Sequence, residues 1–205
     1  MTPLAFLLAR TLRREAPLMA LSVPQPALLA DLAGKTVALV GNARALAQAN
    51  HGARIDAADV VIRINRAPIP APASHGTRCD WLALATALPA ADHARLAGAR
   101  KLWMSPKRKR LSLALATCPG FYLHPLPDYA ALRATLGAPP TTGLMLIDLL
   151  SRAPLASLTL YGFDFFASLS LSGRRTARQV PHDFAAEAAF VAALMARDSR
   201  ITRAE

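Results

Sequence analysis

The feature that most constrains the fold is an alternation of short apolar runs with stretches of helical spacing, which begins near residue 35. Short runs rich in Val, Ile and Leu are typical of buried strands, and a helix between successive strands favours a parallel sheet covered on both faces. The predicted strands are Thr36–Val40, Val60–Ile64, Trp81–Ala85, Lys101–Met104, Phe121–Leu123 and Leu158–Tyr161. We therefore expect an α/β fold with a mostly parallel sheet and helices on both faces.

Helical stretches separate these strands and end the chain. They are Ala43–Asn50, Ala90–Ala99, Tyr129–Leu136, Thr142–Ser151 and His182–Arg197. In the last of them, apolar residues recur at spacings of four, three and four from Phe184 to Met195, which predicts a face directed at the sheet. The stretch from Phe166 to Val180 is too polar for the core and indicates a basic loop.

The first 34 residues differ in pattern from the rest. Pro3–Arg14 carries leucines at helical spacing and ends in arginines, and Pro17, Pro24 and Pro26 interrupt the chain after it. We predict that residues 1–34 form a basic amphipathic helix and a linker, and that residues 35–205 form one folded domain. The first apolar stretch precedes its arginines, which is the reverse of a signal peptide, so we expect no export signal.

Composition excludes several classes of protein. With 205 residues, of which 53% are hydrophobic and 18% charged, the chain can bury a core, and disorder is not expected. Prolines break its longest uncharged runs before the roughly 20 residues that cross a bilayer. Two cysteines, Cys79 and Cys118, do not make a disulfide framework and favour a reducing compartment, and a single bridge between them is the alternative. The net charge of +11 predicts anionic partners such as nucleic acid, a phospholipid surface or a phosphorylated substrate.

Two predicted strands end in asparagines that are candidates for ligand binding. Gly41 and Asn42 follow the first strand, and Asn65 follows the second. The carboxyl ends of parallel strands form the crevice in which α/β proteins bind ligands, and an amide offers both a donor and an acceptor. The alternative to ligand binding is a plain turn at Asn42. At Asn65 the alternative is an ordinary solvated strand end. The three-glycine dinucleotide fingerprint is absent, so a nicotinamide cofactor is not expected.

Two helix starts supply a candidate anion site and a candidate base. Thr141, Thr142 and Gly143 open an apolar helix, where free backbone N–H groups and the helix dipole favour a phosphate. The alternative is that a threonine only caps the helix. His182 opens the last helix, with Glu187 five residues later, and an imidazole in this position is available as a base. The alternative is a surface histidine beside a capping aspartate.

The remaining polar clusters are weaker signals. The run Lys107-Arg108-Lys109-Arg110 has the composition of a patch for phosphates or lipid headgroups, and the alternative is a solvated face. The chain has no Asp-x-Asp pair, no His-x-x-x-His spacing and no cysteines at ligand spacing, so we expect no metal and no cofactor.

Three segments carry most of these candidates in a fixed order. They are VALVGNARALAQANHGARIDAADVVIRINRAP at residues 37–68, PTTGLMLIDLLSRAPLASLTLYGFDFF at residues 140–166 and HDFAAE at residues 182–187. Taken together they resemble the large, small and very small sialyl motifs of glycosyltransferase family 29, the animal-type sialyltransferases that use CMP-sialic acid. The order and spacing of the motifs, over about residues 35 to 190, carry the resemblance.

The resemblance implies a role for each matching residue. The residues at donor-binding positions are Gly41, Asn42, Asn65, Thr141, Thr142 and Gly143. The asparagines match contacts to the CMP part of the donor, and the threonines and Gly143 match contacts to its ribose and phosphate. His182 matches the general base that deprotonates the acceptor hydroxyl, with Glu187 in a supporting position. The resemblance also implies a single-domain Rossmann-like fold of the variant GT-A type, inversion at the anomeric carbon and catalysis without a metal.

The chain departs from the family between the small and very small motifs. The family has there a further short motif whose histidine contacts the donor phosphate, and nothing between Phe166 and Pro181 matches it. Arg174, Arg175 and Arg178 lie in this gap, and we expect them to supply the positive charge. The family's disulfide and membrane anchor are also missing, which indicates a compact bacterial relative in the cytoplasm, held peripherally at the inner membrane.

The sequence thus predicts an inverting, metal-independent glycosyltransferase. It would move sialic acid or Kdo from a CMP-sugar to a hydroxyl of a glycan or glycolipid acceptor. Kdo stays open because plant members of the family are thought to use CMP-Kdo and many bacteria make that donor. The basic N-terminal helix and Lys107–Arg110 predict contact with an anionic membrane surface.

Two other functions remain open from the sequence. One is a non-catalytic relative that binds CMP, and the other is a basic protein that binds nucleic acid or a membrane surface. Nucleic acid is disfavoured, because only 6% of the residues are aromatic and no nucleic-acid motif is present.

Overall fold

The computed structural model describes residues 1–89, 92, 96–164 and 181–204. Its strands are β1 (Thr36–Val40), β2 (Val60–Ile64), β3 (Trp81–Leu84), β4 (Arg100–Trp103), β5 (Tyr122–Leu123), β6 (Ser157–Tyr161) and β7 (Ile201–Arg203). In this part of the chain they form one seven-stranded sheet in the order β5-β4-β3-β2-β1-β6-β7. All neighbouring strands are parallel, so the predicted α/β fold is confirmed.

Helices cover this sheet. They are α1 (Pro3–Thr11), α2 (Glu15–Met19), α3 (Gln25–Ala30), α4 (Gly52–Asp56), α5 (Pro72–His75), α6 (Leu113–Ala116), α7 (Leu126–Leu136), α8 (Thr142–Ser151) and α9 (Phe184–Arg197). Short 3₁₀ helices occupy Arg44–Gln48 and Arg108–Arg110. Within the described residues, no helix has the length and apolar character needed to cross a membrane.

The core lies on both faces of the central strands. Every residue of β2 is buried, as are all residues of β1 after the first, which is expected for strands covered on both sides. On one face Leu39 and Ile62 belong to a cluster that includes the apolar side of α8. On the other face Val40 and Val61 form a second cluster with Ile55.

The N-terminal segment packs on this domain. Phe6 and Leu18 are buried in one cluster with Trp103, and Leu28 joins the cluster that contains α8. The backbone N–H of Val23 also donates to the carbonyl of Phe121 at 2.8 Å. The boundary between residues 34 and 35 stays a prediction.

The predicted helix Ala43–Asn50 is wrong. The chain there forms only the 3₁₀ turn Arg44–Gln48, and α4 follows it. A distant part of the chain determines the backbone here, since the N–H of Ala43 donates to the carbonyl of Gly162 at 3.3 Å. This bond holds Ala43 in extended backbone, with φ −63° and ψ 136°, so Ala43 lies outside any helix. The turn that follows ends at Ala49, which is extended again with φ −91° and ψ 165°.

The last helix, α9, begins at Phe184 rather than at His182. Asp183 is its N-cap, and the Oδ1 atom of Asp183 accepts a hydrogen bond from the N–H of Ala186 at 2.9 Å. His182 therefore precedes the cap. Half of the predicted helix Ala90–Ala99 lies outside the described residues, at positions 90, 91 and 93–95.

Candidate functional site

The strand order creates a crevice at the carboxyl end of β1. The chain passes from β1 to β2 on one side, and β6 pairs with β1 on the other side, so β1 is where the order of the sheet reverses. Ligands of open α/β sheets bind at such a position. The segments that follow β1 and β6 meet there, because the N–H of Gly41 donates to the carbonyl of Tyr161 at 2.7 Å.

The close approach of these two segments requires glycine at position 41. A Cβ atom on Gly41 would collide with the carbonyl oxygen of Gly162 and lie 3.1 Å from the ring of Phe163. Gly162 itself has φ +67°, a left-handed conformation that favours glycine. The backbone of the two segments is therefore in direct contact, with no side chain between them.

Asn42 and Asn65 lie at the ends of neighbouring strands, as the sequence predicted. Asn42 is buried, and its Nδ2 donates to the carbonyl of Ile64 at 3.4 Å. Asn65 is half-buried with φ +54°, and its Oδ1 accepts from the N–H of Ala85 at 3.1 Å. The Nδ2 of Asn65 makes no hydrogen bond to the described residues, so this donor is available to a ligand.

The start of α8 lies against the same crevice. A Cβ on Gly143 would lie 2.7 Å from the ring of Phe163, the same ring that a Cβ on Gly41 would approach. The Phe163 ring thus joins the end of β1 to the start of α8. No sequence pattern marked Phe163 as a site residue, because its role depends on its position beside Gly41, about 120 residues earlier in the chain.

Thr141 is the N-cap of α8. Its Oγ1 accepts from the N–H of Leu144 at 3.1 Å and donates to Oε2 of Glu187 at 2.8 Å. The N–H groups of Thr142 and Gly143 make no hydrogen bond to the described residues, and free groups in this position bind anions. Thr141 therefore caps α8, and the two backbone N–H groups beside it can still donate to a ligand.

Glu187 links the last helix to this cap. It is 3% exposed, and its Oε1 accepts from the backbone N–H of Thr141 at 2.7 Å. Burial raises the pKa of the Glu187 carboxyl to about 7, although both hydrogen bonds from Thr141 act to lower it. The carboxyl group thus fixes α9 to the start of α8, and with it the residues that directly precede α9.

His182 is one of these residues. It is half-buried, its Nδ1 lies 2.7 Å from the carbonyl oxygen of Pro139, and its ring packs on Phe184 with centroids 6.0 Å apart. Pro139 precedes the Thr141 cap by two residues, so the imidazole lies beside the start of α8. The structure therefore places His182 and the Thr141–Gly143 segment together.

A pocket of about 330 Å³ opens beside the crevice. Ala43, Gly162 and Phe163 line it, together with His51, Asp164 and Arg203. Of its polar members, His51 and Asp164 lie within the motif segments 37–68 and 140–166 although neither was predicted as a site residue, and Arg203 lies in β7. The pocket lies next to Asn42, because Ala43, which lines the pocket, is the following residue.

Two sequence predictions have a different outcome. Arg174, Arg175 and Arg178 lie outside the described residues, so their role stays a prediction. Arg108, in the basic run, is buried rather than solvated, and it donates to Glu15 and to the carbonyl of His124. Among the described residues, no group of three or more His, Cys, Asp or Glu side chains is arranged to hold a metal.

Comparisons with known proteins agree with the fold. Residues 12–87 match the model of glycosyltransferase family 29 (sialyltransferase). The fold is similar to a mammalian sialyltransferase in complex with Gal-beta-1-3GalNAc-ortho-nitrophenol, with a TM-score of 0.58 and 16% identity over 83% of this chain and 69% of that chain. A second mammalian sialyltransferase structure has a TM-score of 0.60 and 15% identity over the same shares. No curated protein matches. The chain thus has the Rossmann-like fold of these sialyltransferases, as predicted, and the family model matches the part of the chain that contains the segment 37–68.

Proposed function

We propose that this chain, which has the sialyltransferase fold and matches the family 29 model over residues 12–87, transfers an acidic sugar from a CMP-sugar to a glycan hydroxyl. The observation that carries the proposal is the contact of His182 with Pro139. A carbonyl oxygen only accepts hydrogen bonds, so Nδ1 keeps the proton and Nε2 of the neutral ring presents a lone pair. The imidazole is oriented to take a proton from an acceptor hydroxyl.

The donor is proposed to lie across the ends of β1 and β2 and the start of α8. The free Nδ2 of Asn65 and the amide of Asn42 would hold the nucleoside part. The open N–H groups of Thr142 and Gly143 would hold the phosphate, which the positive end of a helix favours. Arg174, Arg175 and Arg178 stay proposed as further phosphate contacts.

The proposed reaction is a single displacement. The acceptor oxygen forms a bond to the anomeric carbon while the bond between that carbon and the phosphate oxygen of CMP breaks, which inverts the configuration. The hydroxyl proton passes to Nε2 of His182, and the electron pair leaves with CMP. Backbone donors at the start of α8 stabilise the leaving phosphate, so the proposal includes no metal.

Sialic acid and Kdo are both candidate sugars, because both are acidic and both are activated by CMP. The acceptor is proposed to be the hydroxyl of a glycan or glycolipid. A cytoplasmic location is supported by Cys79 and Cys118, which are not joined in a disulfide in the structure.

Calorimetric titration tests donor binding. CMP should bind, while UMP, AMP and NAD should not. Asn65→Gly keeps the left-handed backbone but removes the amide, and Asn42→Ala removes the second amide, so each should weaken CMP about tenfold, as loss of one such hydrogen bond does. Gln25→Ala, which removes an amide from α3 away from the site, is the matched control. Absence of CMP binding to folded protein would reject the proposal.

Turnover of CMP-sialic acid and CMP-Kdo tests the base. In His182→Gln the side-chain amide can still donate to Pro139 but cannot take a proton, so the rate should fall about 10² to 10⁴-fold with CMP affinity unchanged. A variant rate close to that of the unaltered protein would reject His182 as the base. If the unaltered protein binds CMP but consumes neither donor, it is the non-catalytic relative.

A further inference from the structure

Helix α1 presents a row of leucines to solvent. Leu4, Leu8 and Leu12 are 66%, 50% and 57% exposed, and Leu7 beside them is 46% exposed. The opposite side of α1 is buried, since Phe6 and Ala9 are each 3% exposed within the core. The helix therefore lies flat on the domain with its outer side apolar, which is unusual because soluble domains rarely display contiguous apolar patches.

Basic residues adjoin this leucine row. Helix α1 packs on the 3₁₀ helix Arg108–Arg110, and Nη1 of Arg10 donates to the carbonyl of Leu111 at 2.7 Å. The exposed cations around this contact are Arg13, Arg14, Lys107, Lys109 and Arg110. None of these five forms an ion pair with the described residues. The four exposed leucines and these five cations together form the α1 surface.

The charge of the α1 surface identifies its occupant. An apolar helix face beside unpaired cations is the combination that binds the interface of an anionic bilayer, where leucines enter the acyl boundary and cations meet phosphate headgroups. A second copy of this chain fits less well, because it would bring ten like charges together across the contact. We propose that the α1 surface docks on an anionic lipid bilayer.

Docking would orient the candidate site. The segment that carries Lys107, Lys109 and Arg110 follows β4, and Asn42 and Asn65 follow β1 and β2 of the same parallel sheet. All these residues therefore lie at the carboxyl edge of the sheet. This part of the inference rests on the proposed function: an acceptor held in the bilayer, such as a glycolipid, would meet the enzyme at the edge that holds its site.

Cosedimentation with vesicles tests the docking without any need for activity. The full chain should bind vesicles of phosphatidylcholine with phosphatidylglycerol, bind much less to phosphatidylcholine alone, and be released by high salt. Leu4→Gln/Leu8→Gln/Leu12→Gln should weaken binding at least about tenfold, since it removes the inserted apolar area. Lys107→Gln/Lys109→Gln/Arg110→Gln should weaken it about a hundredfold at low salt, at about 1 kcal/mol for each basic side chain.

The matched control is Arg54→Gln/Arg133→Gln/Arg197→Gln, which removes the same charge from exposed positions on α4, α7 and α9. It should bind vesicles as the unaltered chain does, and circular dichroism should show that all variants are folded. Equal binding by all variants, equal binding to neutral vesicles, or no binding by the folded chain would overturn the proposal. A dimer that the leucine variant abolishes, without vesicle binding, would also overturn it. Calorimetry with CMP reports separately on the proposed function.

Discussion

Replacing Glu187 by glutamine should change how stability depends on pH. The carboxyl group is nearly fully buried against Thr141, and burial raises its pKa from 4.5 to about 7. Since the folded-state pKa lies above the unfolded one, the stability from this group is complete below pH 4.5 and is lost as the pH rises through about 7. At 1.36 kcal/mol per pKa unit, about 2 to 3 kcal/mol of this loss falls between pH 5 and pH 8.

The assay is urea denaturation at pH 5 and pH 8, followed by tryptophan fluorescence, because Trp81 and Trp103 are both buried. Glu187→Gln keeps the size of the side chain and removes its titration. We compare the free energy of unfolding of the unaltered protein with that of the variant at each pH. Their difference should change by about 2 to 3 kcal/mol from pH 5 to pH 8, to the disadvantage of the unaltered protein. The shifted groups His75 and His124 are common to both proteins and cancel in this difference.

A suitable control is Asp59→Asn. Hydrogen bonds from the backbone and side chain of Thr36 hold the pKa of Asp59 below its usual value, so its titration is complete below pH 5. Its variant should show the same change between pH 5 and pH 8 as the unaltered protein. If Glu187→Gln also shows no altered pH dependence, then Glu187 is ionised throughout, and the argument from its burial is refuted.

Gly41→Ala should lower the midpoint of urea unfolding, because overpacking against a backbone carbonyl costs about 1–3 kcal/mol; Gly98→Ala, which has open space around it, should leave the midpoint unchanged. Burial lowers the pKa of His124 from 6.5 to about 4, so the stability that the neutral imidazole contributes above pH 6.5 is lost as the pH falls towards 4. On going from pH 8 to pH 5, His124→Leu should therefore lose less free energy of unfolding than the unaltered protein. Equal losses would contradict this. Arg108→Met removes an ion pair with the partly exposed Glu15 and leaves the buried carbonyls of Ser105 and His124 without this donor. It should cost about 1–3 kcal/mol, seen as a lower Tm, whereas Lys109→Met at the exposed neighbouring position should have little effect.

The strands were predictable where burial leaves a mark on the sequence. β1 and β2 are covered on both faces, so their sequences are apolar apart from Thr36 and the buried Arg63. β7 was not predicted, because only Ile201 of its three residues is buried and the other two are exposed. A three-residue strand at the edge of a sheet has no period by which to recognise it.

The site was predictable where parallel geometry alone brings residues together. Asn42 and Asn65 meet because neighbouring parallel strands end at one edge. Contacts between distant segments could not be deduced in this way. Glu187 stood out only for its spacing from His182, yet its partner is Thr141, 46 residues away. The packing of Phe163 likewise depends on the completed fold.

The central position of β1 has a consequence for synthesis of the chain. Thr36 pairs with Ser157, about 120 residues later, so one edge of an apolar strand stays without its partner while most of the chain is made. An unpaired edge of this kind recruits other chains. We therefore expect nascent or truncated forms that end before β6 to aggregate or to require a chaperone. The crevice beside β1 then forms last, when β6 and finally α9 leave the ribosome.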